Sequence, residues 1–85
     1  MIRIYSIPKC PYCNELKELL QKENIEYKDI DVDLPENQKE FNKVLEIAKT
    51  EYLPIVLVNK RLLVANKSFQ TILECVELIK KFLNS

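Results

Sequence analysis

Two short strand-like segments enclose a helix-periodic one at the start of this chain, and that arrangement restricts its fold more than any other feature. Residues 2–6 are apolar, β-branched and aromatic, and read as a strand. Residues 26–32 alternate polar with apolar through Tyr27, Ile30 and Val32, and read as a second strand. Between them Leu16, Leu19 and Leu20 share one face at helical spacing. Pro11 suits the first turn of that helix because it has no N–H to leave unpaired. Asn24 suits its stop, as the best substitute for Gly in a left-handed conformation. Two strands joined by one helix must run parallel, with a right-handed crossover.

The second half completes the pattern. Asp33-Leu34-Pro35-Glu36 opens a second helix, whose apolar face is Phe41, Val44, Leu45 and Ala48 and whose end falls near Lys49 or Thr50. Residues 55–58 form a continuous apolar run after Pro54, as a buried strand does. Asn59-Lys60 makes a tight turn into a fourth strand over residues 61–65. Ser68 is expected to cap a last helix, with Phe69, Ile72, Leu73, Val76, Ile79 and Leu83 as its apolar positions. The order β-α-β-α-β-β-α implies an α/β fold, a four-stranded mixed sheet flanked by three helices. With 85 residues the expectation is a single domain, 1–85. There is no Gly, so any positive φ must fall to Asn, Asp or Lys.

Bulk properties remove several functions. Lys+Arg and Asp+Glu each number 13, so net charge argues for neither nucleic acid nor membrane as a partner. No apolar run approaches the roughly 20 residues of a membrane span. The first residues lack the pattern of a signal peptide, and a cytoplasmic location is expected. Three Cys do not make a fully paired secreted framework. With those three and no His, one chain cannot close a four-ligand zinc site, and no metal is expected.

The chemistry points to Cys10-Pro11-Tyr12-Cys13, placed between the first strand and the first helix. Cysteines three apart at a helix start can approach closely enough to bridge. Cys10 falls at the helix N-terminus, where unpaired N–H groups and the macrodipole favour an anion and lower a thiol pKa. Lys9 adds a neighbouring cation. Cys13, inside the first turn, should be the more buried. Cys10 then attacks a substrate disulfide, and Cys13 resolves the mixed disulfide. Three other readings stand beside this one: a structural disulfide, which closes too small a loop to gain much entropy; half of a metal site shared by two chains; and two unrelated cysteines.

Cys10-Pro11-Tyr12-Cys13, preceded by Tyr5-Ser6, resembles the active-site segment of dithiol glutaredoxins. Leu53-Pro54 before the apolar run resembles that family's step into its third strand, and the likeness extends over nearly the whole chain. The resemblance implies a thioredoxin-like fold, a cis peptide at Leu53-Pro54, and Leu53 backbone free to pair with an extended substrate. It implies glutathione as reductant and co-substrate. The substrate site would then comprise Lys9, Pro11, Tyr12, Leu53, Pro54, Asn66, Lys67 and Ser68. The expected partners are disulfide-containing proteins and glutathione, with thioredoxin reductase and ribonucleotide reductase as further ones, acting on a monomer.

Three positions depart from the family pattern. Ile7 stands where a Lys commonly meets a glutathione carboxylate. Tyr52 stands where Thr is common. Val64-Ala65-Asn66-Lys67-Ser68 replaces a Gly-Gly step followed by acids. Lys67 there would repel the glutathione ammonium yet attract a carboxylate, and the backbone at Ser68 would offer N–H groups to an anion. Weaker or altered glutathione use is the expectation.

Other residues carry two readings each. Tyr12 either packs on a bound peptide or covers the helix end. Tyr5 and Tyr52 are read as half-buried packing residues, and Lys60, Arg61 and Lys67 as a solvated basic rim. Cys75, between Ile72 and Ile79, is read as a small buried hydrophobe. Three functions compete: a glutathione-coupled reductase, a thioredoxin-like donor served by a flavoprotein reductase, and a glutathione-ligated iron–sulfur protein. Pro11 beside Cys10 counts against the last.

Overall fold

The structure, a computed structural model, describes residues 1–84. Strand β1 (Ile2–Ser6) leads to α1 (Pro11–Lys22) and β2 (Lys28–Asp31). A 3₁₀ turn at Pro35–Asn37 runs into α2 (Gln38–Ala48). Then come β3 (Ile55–Val58), β4 (Arg61–Val64) and α3 (Ile72–Leu83). The strands lie in the order β2-β1-β3-β4. β1 pairs parallel with β2 and antiparallel with β3, and β3–β4 is an antiparallel hairpin. This is the mixed sheet that the element order implies, in a thioredoxin-like arrangement. No described helix is long and apolar enough to cross a membrane.

The period of two along the strands divides the core. Ile2 and Ile4 of β1 and Val56 and Val58 of β3 meet Leu16 and Leu20 of α1 and Val76 and Ile79 of α3 on one face. Tyr5 and Ile55, each next in line, turn to the other face against Val44 and Ala48 of α2. A polar brace ties that second face. Arg3 donates to both carboxylate oxygens of Glu40 at 2.9 Å, and the Tyr5 hydroxyl donates to Glu40 Oε2 at 2.6 Å. The Tyr5 bond, aided by Arg3, holds the Glu40 carboxyl below its ordinary pKa. Burial, with the same bond, pushes the Tyr5 phenol up.

Among the described residues four take positive φ without any Gly: Asn24, Lys49 and Asn59 at 57° and Asn66 at 65°. Asn24 and Asn59 stand where the sequence places a helix stop and a hairpin turn. Lys49 ends α2, its N–H bonded to Leu45 O at 2.8 Å.

Several expectations need correction. The paired part of β2 is shorter than 26–32, although Val32 N–H still donates to Ser6 O at 3.0 Å. Ser68 does not cap the last helix. Its hydroxyl accepts from Val64 N at 3.0 Å and its own N–H donates to Val64 O at 2.8 Å, closing a turn around Asn66. Thr71 is the cap, accepting from Glu74 N at 3.1 Å. With the helix starting at Ile72, its inward face is Ile72, Cys75, Val76 and Ile79. Leu73 is therefore 67% exposed and Leu83 is also on the surface.

The Glu40 brace makes a pH-dependent contribution. Because its folded pKa lies below the unfolded one, that contribution is complete above the unfolded value and fades as pH falls through the folded one. Glu40→Ala should lower stability by about 1 kcal/mol at pH 7, or roughly 4–8 °C in Tm. The gap to wild type should narrow in acid; an equal gap at both pH values in thermal melts would refute the account.

Candidate active site

The end of β1 and the start of α1 build the cysteine pair. Cys10 N–H bonds Ile7 O at 3.2 Å, which turns the chain out of the strand. Cys10 is extended and sits at the N-cap of α1, with Pro11 as the first helical residue. Its sulfur fills the role that a Ser or Asp oxygen usually takes, accepting the Cys13 N–H at 3.1 Å. Asn14 N–H donates to Cys10 O at 3.1 Å, and the Asn14 side chain holds Pro8 O at 3.2 Å. Cys10 and Cys13 are joined as a disulfide, their Cα atoms 5.2 Å apart. Cys10 is 9% exposed and Cys13 0%.

The Cys10 sulfur thus lies at the N-terminus of α1, the end of a helix at which its unpaired N–H groups favour an anion. One turn beyond Cys13, Lys17 reaches β2: its ammonium lies 3.0 Å from Asp29 Oδ2 and 3.4 Å from Ser6 Oγ. Ser6, itself buried, donates to Asp29 Oδ1 at 2.7 Å. This polar brace fixes α1 on the sheet and is a feature the sequence reading missed. Neither Lys17 nor Asp29 belongs to an apolar face, so no periodic signal marks the pair.

Beside the cysteines lies a cleft of about 270 Å³. Tyr12 forms one wall, Tyr52, Leu53 and Pro54 another, and the segment from Ala65 through Asn66 and Phe69 to Ile72 the third. The Leu53–Pro54 peptide is cis, as the family resemblance implies. Leu53 precedes the first paired residue of β3, and its backbone has no hydrogen bond to another backbone group among the described residues.

The expected site residues divide. The structure brings Tyr12, Leu53, Pro54 and Asn66 together in the cleft. Lys9 and Pro11 lie on the surface beside Cys10 and do not line it. Lys67 turns away: its ammonium donates to Ala48 O at 2.9 Å, at the negative end of α2. Ser68 is used by Val64, as above. Tyr5 is buried packing as read, but Tyr52 is 66% exposed and lines the cleft. Phe69 to Ile72 were missed as cleft residues because the last helix was started too early. Thr71 followed three residues later by Glu74 is the capping signal that finds its true start. Among the described residues no group of three or more His, Cys, Asp or Glu gathers as metal ligands do.

The family model for glutaredoxin matches residues 2–63. The chain belongs to the glutaredoxin family. It is 33% identical over 64 residues to a glutaredoxin-like 8.6 kDa protein of the rubredoxin operon of Clostridium pasteurianum, covering 75% of this chain and 83% of that one. Two solved structures share the fold. Buckwheat glutaredoxin, in complex with glutathione, superposes with TM-score 0.75 at 17% identity, over 98% of this chain and 76% of that one. The glutaredoxin-like NrdH-redoxin of Escherichia coli, described as having a thioredoxin-like activity profile, gives TM-score 0.65 at 19% identity, over 94% and 91%.

Within this glutaredoxin fold the third cysteine is set apart. Cys75 is fully buried on α3, and burial pushes its thiol up to about 12. After reduction, native protein treated with iodoacetamide at neutral pH should be carbamidomethylated at Cys10 first. Cys75 should react only on unfolding. Peptide mass mapping checks this, and early labelling of Cys75 would contradict its burial.

Proposed function

We propose that this glutaredoxin is a thiol–disulfide oxidoreductase, with Cys10 as nucleophile and Cys13 as resolving thiol. The observation that carries this reading is the Cys10 sulfur at the N-cap of α1, accepting the Cys13 N–H while within bonding reach of the Cys13 sulfur. That geometry stabilises the thiolate and holds the second sulfur ready. The small exposure of Cys10 and the full burial of Cys13 support the division of roles.

The exchange runs in two steps. The Cys10 thiolate attacks one sulfur of a substrate disulfide; a Cys10–substrate disulfide forms, and the other substrate sulfur leaves as a thiolate and takes a proton from solvent. Cys13 then loses its proton, and its thiolate attacks the Cys10 sulfur. The Cys10–Cys13 disulfide forms and the first substrate thiol is released. Two electrons pass to the substrate. They return from two glutathione thiols or from the dithiol of a flavoprotein reductase such as thioredoxin reductase. Disulfide-containing proteins are the proposed substrates. Ribonucleotide reductase enters as one candidate through the family resemblance. The free backbone of Leu53 supports docking of such a substrate as one extended strand.

The test is turnover of a small mixed disulfide and of a protein disulfide, each with glutathione plus its reductase or with thioredoxin reductase. Cys10→Ser should fall to the uncatalysed background with either donor. Cys13→Ser should lose protein-disulfide reduction and keep only glutathione mixed disulfides, to the extent that glutathione is used. Undiminished turnover by Cys10→Ser would overturn the assignment.

A further inference from the structure

The cleft beside the cysteines lacks charged side chains in a chain that is rich in them. Charged residues make up 31% of the sequence. Yet among the described residues no Lys, Arg, Asp or Glu lines the cleft; its polar side chains are Tyr12, Tyr52, Asn66, Gln70 and Thr71. The nearest candidate cation in sequence, Lys67, is held by Ala48 O at 2.9 Å. Thr71 is also engaged, as the cap of α3. Two large rings remain open to solvent across this space: Tyr12 is 63% exposed and Tyr52 66%. Such rings offer apolar area with a polar tip, and little rotamer freedom is lost when they are covered.

Glutathione brings two carboxylates and an ammonium. No charged side chain of this cleft would meet them: the N-terminus of α3 offers a carboxylate only a partial charge and the ammonium none, so taking these groups out of water there is unfavourable. A polypeptide cysteine brings a neutral backbone, and its flanking side chains can cover the tyrosines.

We propose that the cleft selects polypeptide disulfides with an apolar or aromatic residue beside the reacting cysteine, over charged flanks and over glutathione, and that Tyr12 and Tyr52 determine this specificity. The inference rests on the disulfide exchange proposed above and names the substrate class of that same site.

The test uses short peptides in which Phe, Leu, Asp or Lys flanks a single cysteine, each presented as a mixed disulfide with 2-thiopyridine. Glutathione is presented in the same form. Reduced protein is mixed with each, and thiopyridone release gives the rate of attack by Cys10. Every rate is divided by the rate of a small free thiol on the same compound, which removes intrinsic reactivity. Phe and Leu peptides should react about tenfold faster than Asp, Lys and glutathione forms. Tyr52→Thr and Tyr12→Ser should each shrink that ratio. Equal normalised rates across the panel would overturn the specificity while leaving the exchange reaction intact. An undiminished ratio in both variants would overturn the role of the tyrosines. No accelerated exchange with any compound would overturn the proposed function and this inference together.

Discussion

The hydrogen bond from Cys13 N–H to the Cys10 sulfur, 3.1 Å long, joins the start of α1 to the sulfur pair in a single contact. A helix must find partners for its first N–H groups. Here the partner is a cysteine sulfur, and the helix start and the disulfide become one structure. The turn from Ile7 O to Cys10 N–H fixes where that start lies relative to β1. Pro11 occupies the position that needs no donor. Moving the start of α1 by one residue would separate the sulfur from the N–H it accepts.

Several charged residues are paired away from the cleft. Arg3 and Glu40 fasten β1 to α2, Lys17 and Asp29 fasten α1 to β2, and Lys80 meets Glu23 between α3 and the end of α1. Lys67 closes on the last carbonyls of α2. Each exposed pair contributes little by itself. Their common effect is geometric: they hold the elements around the cleft while placing their charges outside it.

The absence of Gly is met in a consistent way. Asn serves at three positive-φ positions and Lys at the fourth. Asn66 matters most for the site, because the turn it makes carries the chain from β4 to the cleft wall. That turn uses the Ser68 hydroxyl and N–H on Val64, so Ser68 is not available to start a helix. The helix begins three residues after Phe69 instead, and the intervening segment lines the cleft.

Much of this was legible in the chain. Helical spacing marked the three helices, alternation the second strand, and apolar runs and a turn the other strands, because burial leaves a trace in the residue pattern; the ends of the second strand and the start of the last helix were not marked. Asn24, Asn59 and the cysteine motif were readable because local backbone geometry demands those residue types there. The resemblance to a family supplied the cis peptide before Pro54. Other features belonged to the tertiary structure. Thr71 with Glu74 three residues on is a capping signal in the sequence, but Ser68 is as good a cap by type, and only its bond to Val64 in the folded chain removed it. Lys67 could be placed near the site but its direction was set by a carbonyl on α2, 19 residues away. Tyr52 reads as half-buried packing until the cleft is assembled and leaves it 66% exposed. Sequence alone therefore determined the order of the elements and the paired sulfurs, whose causes are local. Only the folded chain decided the charge and shape of the cleft, because those arise from groups distant in sequence competing for the same partners.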